Sequence, residues 1–258
     1  MASQYETPYF DNHSLGNLGI FPLEILLEIG EYSSTQTLGR LFRTNRYFHE
    51  IFTTPFYRRG AIVATENKSR HFNPAAFAIR NNHTSTLKKL LQHGLNGDTW
   101  IGLDKYERVS LLHLAIRPHL FKEQNDMTSA KLLLEHGADV NGTCKGYDTP
   151  LTFVLNLNIQ NYRPWVDLLL KFGARKSINE GGQYSWRMSA LHWAAEKGDV
   201  QLVKLFLDHG ADIMMLDTPT KITAFMFARR KKNHRVMDLL KSRGASESRR
   251  GCWYWSRD

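Results

Sequence analysis

From residue 90 onwards a leucine or phenylalanine followed four residues later by a glycine recurs five times, and no other feature constrains this chain as much. The five closings run from Leu90 to Gly94, Leu133 to Gly137, Leu169 to Gly173, Phe206 to Gly210 and Leu240 to Gly244. Their glycines stand 43, 36, 37 and 34 residues apart. Each closing has a matching start. Ser110-Leu-Leu-His113, Thr149-Pro-Leu-Thr152 and Ser189-Ala-Leu-His192 are clear, whereas Asn73-Pro-Ala-Ala76 and Thr223-Ala-Phe-Met226 are weaker. Self-similarity at such a period marks a stack of small units, none of which buries its apolar face alone.

The residues inside one unit predict a pair of helices. Thr149 offers a capping hydroxyl ahead of Pro150, which suits the first helical position because its missing N–H costs nothing there. Leu202, Val203 and Phe206 form an apolar stripe. Gly210 stands where a helix ends in a left-handed residue, a conformation glycine adopts without strain. His93, His136 and His209 precede such glycines and suit the negative end of a helix dipole.

This pattern resembles the ankyrin repeat, with its Thr-Pro-Leu-His start and a period of about 33 residues. The resemblance covers residues 73–246 and implies an all-α solenoid of about five helix–turn–helix units, with degenerate units at the two ends. It also implies that His113 and His192 bond backbone between neighbouring turns. The departures are insertions, between Ala115 and Ala130 and between Asn156 and Trp165. Insertions of this kind fall on one edge of a solenoid, often the recognition edge.

Residues 21–53 do not follow the repeat. Pro22 near a helix start, apolar positions at 25, 26 and 29, and the Ser33-Ser34-Thr35 break predict two or three short helices, closed by Pro55. The phrase Phe21-Pro22, Glu24, Ile25, Leu26, Ile29, then Leu38, Leu41 and Arg43 to Arg46, is similar to an F-box. That small motif docks a protein on the Skp-type adaptor of a cullin-based ubiquitin ligase. Thr37 and Ser33 stand where the motif commonly has an acidic residue and a leucine. The resemblance implies adaptor contacts at Phe21, Pro22, Glu24, Ile25, Leu26, Ile29 and Leu38. The other reading is a hairpin that only caps the first repeat. The remaining divisions are a flexible N-terminus at 1–20, a linker at 54–72 and a basic-aromatic tail at 247–258.

Composition excludes several classes. Hydrophobic residues make up 42% and charged residues 23%, so the chain is expected to fold. The polar start carries no secretory pattern, and the most apolar stretch is too short to span a bilayer, so a cytoplasmic or nuclear protein away from membranes is expected. Two cysteines make no disulfide framework or metal spacing. No phosphate loop or nucleophile elbow appears. No catalytic residue, metal or cofactor is therefore expected, and the chain is expected to be monomeric apart from its partners.

Binding is left to the surface. The loops between units hold Trp100, Tyr106, Tyr147, Tyr184 and Trp186, with Arg187 and Lys145 nearby, and aromatic residues in such loops resemble interface anchors for an unknown target protein. The net charge is +9, and its densest run is Arg229-Arg230-Lys231-Lys232. That run reads as an import signal, a patch for an acidic partner, or the solvated rim of the last unit. Nucleic acid is not expected, because it wants such a patch interleaved with stacking aromatics. These features lead to a substrate receptor whose N-terminal helices dock on the adaptor while the loops hold a target. The alternatives are an ankyrin scaffold or inhibitor, and a nuclear factor using the basic last unit.

Overall fold

The structure is a computed structural model and describes residues 22–41, 43, 46–66, 73–102, 108–117, 127–144, 148–157, 161–181, 188–217 and 221–246. It opens with α1 (Leu23–Tyr32), α2 (Thr35–Leu41) and α3 (Arg46–Glu66). Five helical hairpins follow: α4 (Pro74–Arg80) with α5 (Thr84–Gln92), α6 (Leu111–Ile116) with α7 (Thr128–Glu135), α8 (Pro150–Asn156) with α9 (Arg163–Lys171), α10 (Ala190–Lys197) with α11 (Val200–Asp208), and α12 (Ala224–Arg230) with α13 (His234–Ser242). A two-stranded antiparallel hairpin, β1 (Trp100–Gly102) and β2 (Arg108–Ser110), lies between the first two units.

Local chemistry sets each unit. The hydroxyl of Ser110 accepts from the His113 amide, and the Thr149 side chain accepts from the Thr152 amide ahead of Pro150. The Asp199 carboxylate caps α11 at the Leu202 amide, 2.9 Å away. Every outer helix is followed by a glycine with φ between +84° and +101°. After α5, α7, α11 and α13 the amide two residues beyond the C-cap reaches back to a carbonyl of the last turn, as in Ala138 to Leu133 at 3.0 Å and Ala211 to Phe206 at 2.9 Å. At the C-caps, the Nδ1–H of His136 donates to the Leu132 carbonyl at 2.8 Å and that of His209 to Leu205 at 2.9 Å, so the histidines do finish the helices.

Stacking then builds the solenoid. The inner helices pack in order, α4 on α6, α6 on α8, α8 on α10 and α10 on α12, and the outer pairs α5 with α7 and α11 with α13 do the same. One contiguous apolar cluster runs from Tyr57 to Leu240. Each fully buried leucine or phenylalanine in it contributes about 1.5–3 kcal/mol.

Two expectations about the N-terminal segment are corrected. The third helix is 21 residues long and continues through positions 54–66, which had been assigned to a linker; positions 67–72 lie outside the described residues. Pro55 does not close the segment, because it is buried inside α3 with its ring against Gly30 of α1. The physical reason is that α3 serves two cores. Its first half packs Phe48 and Phe52 with Leu26 and Leu38. Its second half brings Tyr57, Ala61 and Ala64 into the repeat core. The Arg59 guanidinium donates to the carbonyls of Glu31 and Ser33 and so satisfies the end of α1. The Asn73 amide donates to the Ala64 carbonyl at 2.9 Å, which ties α3 to the first unit.

The turns between inner and outer helices are not equivalent. Gly198 holds a left-handed φ of +76°, and at the matching place in the last unit Lys232 is forced to +59°. A side chain in that region costs about 1–2 kcal/mol, of which the greater freedom of unfolded glycine returns part. Lys232→Gly is therefore expected to stabilise the protein by roughly 0.5–1 kcal/mol in urea denaturation. An unchanged or lowered midpoint would remove strain as the account of this turn.

Candidate protein-binding surfaces

The repeat histidines bind backbone, not ligand. His113 sits on α6 with its Nδ1 2.8 Å from the Ser110 hydroxyl and its Nε2 3.1 Å from the Asp148 carbonyl. His192 on α10 repeats this with Ser189 at 2.8 Å and reaches the carbonyls of Met215 at 3.0 Å and Ile222 at 3.2 Å. A carbonyl only accepts, so Nε2 carries the proton and Nδ1 is the acceptor. Burial holds the His113 imidazole down at about 4, against the opposing pull of the Asp148 carbonyl, and lowers His192 likewise. In the third unit Thr152 takes the histidine's place and bonds only within its own turn, to Thr149. There the neighbouring unit is held instead by the Tyr162 hydroxyl, which donates to Asp199 at 2.7 Å, and by Asn179, whose amide donates to the Gly210 carbonyl at 3.3 Å.

One buried acid breaks the pattern. The residue just before each unit's cap is Val109, Met188 or Ile222 in three units, all buried, but Asp148 in the third, at 1% exposure. Burial pushes its carboxyl up to about 6, only partly offset by the Asn156 amide at 3.4 Å. Folded Asp148 thus holds its proton more tightly than unfolded Asp148. Its penalty is absent near pH 4 and grows as pH rises towards 6. Nearby Cys144 is buried and its thiol is pushed up to about 11, first by burial and then by Asp148, which leaves it no nucleophile. Among the described residues no group of His, Cys, Asp and Glu could hold a metal ion.

Of the loop aromatics, Trp100 alone lies among the described residues. Trp100 is half-buried within β1, opposite Ser110, and not on an open loop. Strand pairing explains this, because the finger between units one and two is a hairpin whose partner strand runs directly into the cap of α6. Tyr106, Tyr147, Tyr184, Trp186, Arg187 and Lys145 lie outside the described residues.

Sequence reasoning missed a column of apolar side chains one residue after the histidine position: Phe77, Leu114, Phe153, Trp193 and Phe227. Their signal was present as one large apolar residue per unit at a fixed offset from the cap. Three of them wedge against the preceding unit, Phe153 edge-on to His113 at 5.3 Å, Trp193 to Tyr162 at 5.0 Å and Phe227 to His192 at 5.5 Å, and Leu114 is buried. Phe77, in the first unit, remains 47% exposed.

The residues expected to meet an adaptor divide into two groups. Leu26 and Leu38 are wholly buried among Phe48 and Phe52, and Ile29 packs partly against them. Because α1 and α2 make a core of their own on α3, these side chains hold the helices together and are not free for a partner. Pro22, Glu24 and Ile25 are exposed, together with Leu23 and Leu27, which the expectation did not include; Phe21 lies outside the described residues.

The basic run is part of the last unit's fold. Arg229 and Arg230 end α12 and Lys232 holds the left-handed turn. The Asn233 amide locks that turn onto α10 by donating to the carbonyls of Ala195 at 2.9 Å and Glu196 at 3.1 Å. A linear import signal would have to be pulled out of this turn to be read as an extended strand.

Comparison with known proteins agrees with the stacking geometry. A model of ankyrin repeats in three copies matches residues 155–250, and a single ankyrin-repeat model matches residues 109–145, together just over half of the chain. Neither match extends over residues 21–53. The chain is similar to the B-cell lymphoma 3 protein homolog of Mus musculus, 31% identical over 175 residues, which is 66% of this chain and 35% of that protein. The chain thus spans about a third of the length of that relative. Among the described residues no helix is long and apolar enough to cross a membrane.

Asp148→Asn, followed by urea denaturation from pH 4 to pH 8, should match the parent at pH 4 and exceed it above pH 6 by about 1–3 kcal/mol. A difference that does not vary with pH would mean that the carboxyl is already ionised at little cost. Residues 109–145 and 155–250 are ankyrin repeats, and the chain is an all-α ankyrin-repeat protein whose repeats are a protein–protein interaction module.

Proposed function

We propose that the chain is a connector with two binding surfaces, the substrate receptor of a cullin-type ubiquitin ligase. Helices α1–α3 dock on a Skp-type adaptor, and the loops of the repeats hold the target. The observation that carries this reading is the division of labour in α3. Its second half closes the first repeat with Tyr57, Ala61 and Ala64, while α1 and α2 pack on its first half around a separate core. A segment that served only as a cap would spend its apolar side chains on the first unit. Instead α1 leaves Leu23, Ile25 and Leu27 at 50%, 39% and 41% exposure, beside Glu24 and Pro22. A cluster of exposed apolar side chains on one short helix favours a protein partner. In this role the protein supplies proximity and orientation, and other subunits supply the chemistry. Trp100, Tyr106, Tyr147, Tyr184, Trp186 and Arg187 are the proposed target contacts, and the proposed setting is the cytoplasm or nucleus.

A second reading, an ankyrin scaffold without a ligase, is favoured by the unbroken run of α3 into the repeats and by the similarity to the mouse protein. Binding to a purified Skp-type adaptor separates the two. The intact chain is expected to bind, and Ile25→Glu/Leu27→Glu to lose at least about tenfold in affinity, since both side chains are half-open and their loss leaves the Leu26–Leu38–Phe52 core in place. A circular dichroism melt of the variant should stay within a few degrees of the parent. No binding by the intact chain would leave the scaffold.

A further inference from the structure

The corner formed by the ends of α10 and α12 and the start of α13 gathers the densest charge of the described fold. Lys197, Arg229, Arg230, Lys232, His234 and Arg235 are all exposed there. Of the nearby carboxylates, Asp238 lies exposed one turn further along α13, while Glu196 and Asp199 are both engaged. Glu196 pairs with Lys231 at 3.1 Å, and Asp199 accepts from the Tyr162 hydroxyl and the Leu202 amide. Arg229, Arg230, Lys232 and Arg235 meet no carboxylate among the described residues.

A solvated rim would not need the arrangement found here. Arg229 and Arg230 suit the negative end of α12, but Arg235 stands in the first turn of α13, where the helix dipole is positive and a cation is disfavoured. Lys232 adds backbone strain at a place where the fourth unit has glycine. The fourth unit reads Gly198-Asp199-Val200 where the last unit reads Lys232-Asn233-His234. Strain and adverse charge kept at one turn, against a relaxed solution one unit away, point from structure towards function. The cations are also held in place. The Arg230 guanidinium lies 5.5 Å from the centre of the Phe227 ring, and the Lys197 ammonium 5.3 Å from that of Trp193. Side chains fixed in this way lose less freedom on binding.

We infer that this corner is a docking surface for an acidic polypeptide segment, one rich in Asp and Glu, on a partner protein. Charge complementarity selects the occupant. The rings favour a polypeptide over a nucleic acid, because Trp193 and Phe227 are 7% and 4% exposed under their cations and offer no platform for stacked bases. This surface is separate from α1 and does not rest on the ligase reading.

The test measures binding of three labelled probes to the full chain by fluorescence anisotropy at low and physiological salt. The first is a twelve-residue peptide of alternating Glu-Asp and Leu. The second is the same peptide with Gln and Asn for Glu and Asp, and the third is a DNA duplex of equal charge. The acidic peptide should bind and weaken with salt, and the neutral one should not bind. Arg229→Glu/Arg230→Glu should weaken the acidic peptide at least about tenfold, and Arg80→Glu/Lys88→Glu, an equal change of net charge on the first unit, by less than about twofold. Lys232→Gly should weaken the peptide while the protein melts no lower, a combination that a misfolded variant cannot produce. Equal loss in both double variants, equal binding of the neutral peptide, or tighter binding of the duplex would each overturn the proposal.

Discussion

An inner helix of six to eight residues with an outer helix of eight or nine cannot hide its own apolar stripe, and everything else in this protein follows from that deficit. Each unit is completed by the next, so that one core runs from Tyr57 to Leu240 without a break. Apolar contact alone would leave register loose. The polar bonds between units fix it, through the histidines of units two and four, Tyr162 and Asn179 of unit three, and Asn233 of unit five. Neutral imidazole is essential to this wiring, because only a ring with one N–H and one bare nitrogen can accept from serine and donate to a carbonyl at once. Burial supplies that neutrality.

The two ends of such a stack meet the deficit differently. At the first end, α3 contributes half of its length to close the array and half to a small core with α1 and α2. That economy leaves part of α1 uncommitted. At the far end the last unit carries costs that the fourth unit does not, a strained Lys232 and the cation of Arg235 at the start of α13. Apart from the buried Asp148, the middle of the stack is regular and spent on stability, whereas the ends are where the sequence departs most from what stability alone would select.

The units, about five of them, and their caps can be read along the chain. Serine or threonine at the cap, histidine three residues on in units two and four, and glycine at the close are local devices, legible because they act within one turn of chain. Among the described residues, the helices from Pro74 to Ser242 fall where those signals put them. What the tertiary structure alone decided concerns residues whose role depends on distant neighbours. Leu26 and Ile25 are adjacent apolar residues, yet one is wholly buried and the other is open, because only packing on α3 chooses the face. Pro55 was legible as a helix end and is a helix interior, because Gly30 of α1 leaves room for its ring. Asp148 stands one residue before the Thr149 cap with nothing local to mark it, and stacking makes it a buried acid with a raised pKa. The column from Phe77 to Phe227 is written at a fixed offset, but the wedging of Phe153, Trp193 and Phe227 between units is a contact across dozens of residues, and such contacts exist only once the stack has formed.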